Sequence, residues 1–369
     1  MVPFQFERPG SLDAAATALV EDGTQAIAGG TTMVDLMKLN VLTPRRLVSV
    51  RPVLESGVEI TDDRITIAAG TTMADCADAS GAEASGANAS GADASGAEAS
   101  GADADGMAEA FPALRQSLLL AATPQIRNMA TMGGNLLQRT RSPYFRHVDM
   151  PVDGPPGSAP PAEFGRDVDT SLLALFGHGG RLVGTYPGDF AVVFAAFGGR
   201  VEVRRGGQTV TIDAADFYQT PGEVEHQYRT ALQPGDVITA ITFDRTPSTA
   251  RSIYYKVRER SSYAFALASA AVGLTMDGDQ ITAASVALGG VGSVPWVSQP
   301  AIEALVGQAA TDETFAAAAK AAVSDAEPPA GAEFKVPILQ ATIERALKTV
   351  RDRHPLSDEA MWAIQHGRG

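Results

Sequence analysis

Two glycine-bearing runs hold residues whose types and spacing could do chemistry: Gln25-Ala-Ile-Ala-Gly-Gly-Thr-Thr-Met33 and Gln125-Ile-Arg-Asn-Met-Ala-Thr-Met-Gly-Gly-Asn-Leu-Leu137. In the first, Ala26-Ile-Ala28 reads as a short buried strand, Gly29 and Gly30 allow a sharp turn, and Thr31 opens an amphipathic helix through Lys38. Such a helix start presents unpaired N–H groups and the positive end of the dipole, and glycine lets an anionic diphosphate approach the backbone. The second run repeats the idea later in the chain. Either run alone is more often only a turn ahead of a helix. On the cradle reading, a bulky side chain at Gly29 or Gly134 would stand in the diphosphate's path.

Other chemistry is sparse. The chain has no G-x-G-x-x-G for a dinucleotide, no G-x-x-x-x-G-K-[ST] for a nucleoside triphosphate, and no G-x-S-x-G, H-E-x-x-H or C-x-x-C. Cys76 is the single cysteine, which rules out an intrachain disulfide and a thiolate cage. It reads as lying beside a surface loop, with no redox role. His147, His178, His226, His354 and His366 show no ligand spacing. Cofactor cradles without an evident acid, base or nucleophile point to electron carriage, because a redox cofactor brings its own reactivity.

The elements that must position these runs follow from composition and pattern. With 369 residues, 45% of them hydrophobic, the chain can build two or three ordinary cores. A formal net charge of −14 argues against a nucleic-acid surface. Lysine occurs only at Lys38, Lys256, Lys320, Lys335 and Lys348. The N-terminal residues lack a basic stretch followed by an apolar run, and the longest apolar run, near Phe190 to Phe197, is too short to span a bilayer. A cytoplasmic location and no membrane span are expected.

Along the chain, Ser11 to Val20 reads as a helix capped by Ser11, Leu47 to Val50 as a strand, and Val58 to Ile67 as a hairpin around Asp62-Asp63. Ala79 to Gly106 is a five-residue repeat with almost nothing apolar larger than alanine, expected to be an acidic surface loop. A helix is expected from Met107 to Leu120, and a loop from Pro151 to Pro161. Strands are expected at Phe190 to Phe197, Arg200 to Arg204 and Val237 to Phe243, with a short helix or turn at Asp213 to Tyr218. Beyond a boundary near 225–248, strands at Ile253 to Val257, Ala264 to Leu274 and Ile281 to Leu288 precede helices at 301–326 and 338–351, an α+β pattern.

Five segments occur in an order that resembles a known family: Ala28-Gly-Gly-Thr-Thr-Met-Val-Asp-Leu-Met-Lys38, the run from Gln125 to Arg141, Tyr186-Pro-Gly-Asp-Phe-Ala191, Tyr255 to Leu267, and Ala287-Leu-Gly-Gly-Val291. The family is that of the FAD-binding medium subunits of xanthine dehydrogenase and aldehyde oxidoreductase, the molybdenum hydroxylases. The resemblance implies an α+β fold: an FAD-binding PCMH-type region, vanillyl-alcohol oxidase-like, over 1–225 with subdomains at about 1–56 and 57–225, then a CO dehydrogenase flavoprotein-like α+β domain over 248–355. It further implies FAD as cofactor, with Gln25, Ala26, Ile27, Ala28, Gly29, Gly30, Thr31, Thr32 and Met33 wrapping its diphosphate and Thr131, Gly133, Gly134 and Asn135 forming a second cradle. Asp189 falls where the family accepts hydrogen bonds from cofactor hydroxyls, with Gly188 in place of the usual serine; Lys256 and Tyr263 fall on the wall near the flavin ring.

The departures matter as well. The family's aldehyde-oxidoreductase branch carries four cysteines for an additional four-iron cluster after an Arg-Thr-Arg-Cys run; here the first position is Ser142, and Met150 to Pro161 contains no cysteine. That cluster cannot be built in this chain. The expected function is an FAD-carrying electron-transfer subunit, an oxidoreductase component whose partners are a molybdopterin-binding large subunit and an iron–sulfur small subunit. A cofactor-free docking protein of the same fold and a stand-alone flavin oxidase are the alternatives.

Overall fold

The computed structural model describes residues 1–79, 106–142, 145–146, 169–180, 183–221 and 230–352. The repeat over 80–105, the Pro- and Gly-rich passage over 151–161, the start of the expected domain boundary near 225, and 353–355 lie outside the described residues.

Three sheets organise the described residues. The first joins β1 (Gln5–Glu7), β2 (Thr24–Ile27) and β3 (Arg46–Ser49) in the order β1-β3-β2, all parallel. Parallel neighbours require crossovers, and α1 (Leu12–Ala18) and α2 (Met33–Lys38) supply them. Ser11 caps α1 by accepting from Ala14 N at 3.2 Å, and Ala15, Ala16 and Val48 form a small core beneath it. The helix expected from Thr31 begins two residues later, behind Thr32.

The second sheet is antiparallel, with β4 (Val58–Ile60), β5 (Arg64–Ala68), β6 (Arg200–Arg205), β7 (Gln208–Asp213) and β8 (Val237–Asp244) in the order β4-β5-β8-β6-β7. Helix α3 (Met73–Ala77) follows β5 and carries Cys76 into the core, fully buried. The surface-loop expectation for Cys76 is therefore corrected; burial pushes its thiol far above the ordinary value, with Asp75 adding to the effect. The helix expected over 107–120 is two, α4 (Met107–Ala110) and α5 (Pro112–Leu119). They break at Phe111, whose φ of −155° and ψ of 74° answer the steric demand of the following proline. Short helices α6 (Pro124–Arg127) and α7 (Met132–Asn135) lead away from α5.

Residues 190–197, expected as a strand, form instead α8 (Asp189–Ala196). The segment is apolar on all sides because it is buried from Asp189 to Phe194, and periodicity alone cannot separate a wholly buried helix from a buried strand. Phe190, Phe194 and Phe243 meet largely edge-on, as do Phe111 and Phe197. The expected short helix at 213–218 is α9 (Ala214–Phe217).

After α10 (Pro247–Ala250) the third sheet joins β9 (Ser252–Val257), β10 (Ala268–Asp277), β11 (Gln280–Gly289) and β12 (Trp296–Val297) in the order β12-β11-β10-β9. Three strands were expected here; the last is a two-residue addition at the edge, and β10 starts four residues after the expected Ala264. Helix α11 (Gln299–Leu305) and α12 (Asp312–Ala321) replace the single helix expected over 301–326, parted by Gly307 in the left-handed region, φ +81°, and by the Thr311 cap. The long α13 (Lys335–Asp352) closes the chain's described part. Val272, Leu274, Val286 and Leu288 face α13 and its neighbours, while Ala271, Ala287 and Tyr254 face the core that holds α5 and α8. The third sheet is thus covered on both sides. Among the described residues no helix is long and apolar enough to cross a membrane.

Candidate functional site

A cleft of about 740 Å³ opens between the first sheet, α7 and the β9–β10 connection, within the size range of small-molecule and cofactor sites. All sixteen residues singled out from the sequence line it: the nine from Gln25 to Met33, then Thr131, Gly133, Gly134, Asn135, Asp189, Lys256 and Tyr263.

The first glycine run ends β2 and turns into α2 through Gly30, whose φ of +74° is left-handed. The N–H groups of Gly29, Gly30, Thr31 and Thr32 donate to no protein acceptor among the described residues. A row of unpaired donors at the edge of a cleft is a ready seat for anionic oxygens. Gly29 itself answers a different need from the one expected. A Cβ there would lie 2.0 Å from Met129 O and 3.0 Å from Ala130 Cα, so the missing side chain makes room for the second glycine run.

That second run is built as a support. Met132 N donates to Thr71 O (2.8 Å), Gly133 N to Ala69 O (3.0 Å) and Asn135 N to Thr131 O (2.8 Å), while Gly134 N reaches Thr131 Oγ1 at 3.3 Å. These four N–H groups are therefore spent on the protein. A Cβ on Gly133 would meet Ala69 Cβ at 2.9 Å, whereas one on Gly134 would meet only Thr131 Oγ1, at 3.0 Å. Asn135 Nδ2 contacts Met73 Sδ at 3.1 Å, and its buried Oδ1 has no partner among the described residues. The end of α7 is pinned by two residues sequence reasoning missed: the Tyr186 and Tyr218 hydroxyls both donate to Leu136 O, at 2.8 and 3.0 Å. Burial pushes both phenols well above the ordinary range.

Asp189 opens α8, where a carboxylate is favoured by the helix terminus, and is buried. Its Oδ2 pairs with Lys256 Nζ at 2.8 Å, and its Oδ1 accepts from the Tyr254 hydroxyl at 2.5 Å. Tyr254 and Lys256 stand two apart on β9 and so share a face. Lys256 also donates to Leu120 O, at the C-terminal end of α5 (3.2 Å), where Arg258 Nη1 joins it (3.3 Å). Although β9 lies at the sheet's edge, Lys256 is no surface lysine: its side chain is 1% exposed. Tyr263 is the reverse, 55% exposed and not packed in a core. It holds a left-handed φ of +50°, costly for a tyrosine, under Arg260, whose Nε donates to Tyr263 O at 3.0 Å.

Two further arginines stand together, of which Arg141 lines the cleft. Arg141 and Arg146 both donate to Asp35 Oδ2 of α2 at 2.6 Å, and the Arg141 guanidinium lies 5.1 Å from the centre of the Phe265 ring. Burial pushes the Asp35 carboxyl up, but the two guanidiniums outweigh it and leave it below the ordinary value. Ser142 is buried, and its Oγ has no partner among the described residues. It packs with Thr140 against Gly184, where a Cβ would lie 2.4 Å from Ser142 Cβ.

Residues 2–245 match the FAD binding domain in molybdopterin dehydrogenase, and residues 253–350 match the CO dehydrogenase flavoprotein C-terminal domain. The chain is 35% identical over 357 residues to the aldehyde oxidoreductase FAD-binding subunit PaoB of Escherichia coli K12, covering 95% of this chain and 99% of that one. The chain belongs to the FAD-binding family of molybdopterin dehydrogenases. Another member of this flavoprotein family, the carbon monoxide dehydrogenase medium chain of Afipia carboxidovorans, is 28% identical over 364 residues, covering 96% and 99% of the two chains. The fold is likewise that of the CO dehydrogenase chain from Oligotropha carboxidovorans, with a TM-score of 0.68 at 23% identity over 96% of this chain and 100% of that one. It is also that of a chain of quinoline 2-oxidoreductase from Pseudomonas putida 86, with a TM-score of 0.67 at 19% identity over 98% and 99%. The expected α+β architecture and FAD as cofactor both hold for this flavoprotein chain.

Proposed function

We propose that the cleft seats FAD with its diphosphate against the unpaired N–H groups of Gly29, Gly30, Thr31 and Thr32, and with the flavin toward Lys256 and Tyr263. The observation that carries this reading is the row of unspent donors beside a left-handed glycine, opening into a cleft of about 740 Å³. Thr131, Gly133, Gly134 and Asn135 form the floor behind that row, and Asp189, fixed from behind by Lys256 and Tyr254, keeps carboxylate lone pairs for cofactor hydroxyls.

When bound, FAD supplies the redox chemistry, taking up and releasing electrons. The residues of this chain hold it, orient it and shield it from water. The chain acts as the electron-transfer subunit of a heteromeric molybdenum hydroxylase, between an iron–sulfur small subunit and a final acceptor, while a molybdopterin-binding large subunit transforms the substrate. We place it in the cytoplasm, in keeping with a chain whose only cysteine is a free thiol.

The test is the visible absorption spectrum of the purified chain, with identification of the molecule released on denaturation. Stoichiometric FAD without iron–sulfur absorbance is the expected result. A colourless chain that cannot be reconstituted with FAD would overturn the reading in favour of a docking protein.

A further inference from the structure

Lys335 begins α13, is fully buried, and has no part in the cofactor contacts described above. Among the described residues no carboxylate lies within ion-pair distance of it. Its amine instead donates to three backbone carbonyls: Ser171 at 2.6 Å, Leu173 at 3.3 Å and Gly290 at 2.6 Å. Burial pulls its pKa down to about 7, opposed by the nearby Asp169. Burying an ammonium without a counter-charge is unfavourable, and a residue needed only to fill space there would be apolar.

The three carbonyls belong to two separate segments that border the cleft. Asp169, Ser171 and Leu172 line it directly. Gly290 presses on the strip that carries Ala266, another lining residue: it sits at φ +69°, and a Cβ there would lie 2.5 Å from Ala266 O. Leu172, Ala266 and Gly290 also share a small adjoining hollow, which places the two parts side by side. A parallel tie runs outside the amine, where Thr170 Oγ1 donates to Gly331 O at 2.6 Å.

We propose that Lys335 is a positioning residue that clasps segment 169–173 to the Gly290 turn and so sets the width of the flavin end of the cleft. This rests on the FAD reading above. Helix α13 then shapes the cofactor site through one buried cation, without itself touching the cofactor.

The test compares binding of FAD and of adenosine diphosphate to the full flavin-free chain by calorimetry, at a pH below the Lys335 value. The wild type is expected to bind both. Lys335→Met should weaken FAD roughly tenfold or more and leave adenosine diphosphate within about twofold, because the clasp acts on one end only. Equal loss of both ligands, or unchanged FAD affinity, overturns the clasp. If Lys335→Met does not fold, Thr170→Val decides: a selective FAD loss of roughly threefold supports the clasp, and an unchanged affinity overturns it. A wild-type chain that binds neither ligand sinks the cofactor reading and this inference together.

Discussion

Asp189 and Lys256, separated by 66 intervening residues in the chain, form an ion pair of 2.8 Å with side chains 6% and 1% exposed. Breaking a buried pair from one side leaves an uncompensated charge, which typically costs about 3–5 kcal/mol. Lys256→Met should therefore lower the urea-unfolding free energy by about that amount, and adding Asp189→Asn should recover most of it. Strictly additive losses would mean that the pair is not coupled.

The two glycine runs should respond differently to alanine. Gly29→Ala drives a methyl into Met129 O and should cost about 3 kcal/mol or more. Gly134→Ala meets only Thr131 Oγ1 and should stay within about 1 kcal/mol of wild type. Chemical denaturation of the two flavin-free variants measures the contrast, and equal losses would refute the support role of the second run.

Much of this site could be read before the fold was known, and the remainder could not, for identifiable reasons. The turn at Gly29-Gly30 was legible because a short apolar strand, two glycines and an amphipathic helix follow one another directly. The partners of Asp189 were hidden, since only tertiary packing brings β9 to the start of α8. Segment 190–197 was misread because burial on every side erases the helical period. Lys335 gave no local signal at all: a lysine at a helix start looks solvent-facing until the carbonyls around it are seen.

The titration of Lys335 has a definite sign. Its folded value is about 7 against an ordinary 10.5, so between those values the unfolded chain binds the extra proton and the folded chain does not. Stability contributed by this group therefore rises with pH across that window and is lowest below it. Urea unfolding at several pH values should show this slope in the wild type and its absence in Lys335→Met; identical slopes would count against a titrating amine.

Asp35 ties the stretch carrying Arg141 and Arg146 to α2. Because its carboxyl titrates below the ordinary value, the tie is present above the unfolded pKa and fades as pH falls through the folded one. Asp35→Asn should remove it at every pH. Limited trypsin digestion is expected to cut after Arg141 and Arg146 faster in the variant, and an unchanged cleavage pattern would show that the tie does not hold this stretch.

The third sheet, covered by α13 on one face and by α5 and α8 on the other, makes the seam between the two family segments a boundary in sequence and not in stability. Cut between 245 and 253, each half would carry an apolar wall with nothing against it. Separately produced halves should precipitate, whereas halves produced together should recombine as a split protein does, and the intact chain should melt in one transition.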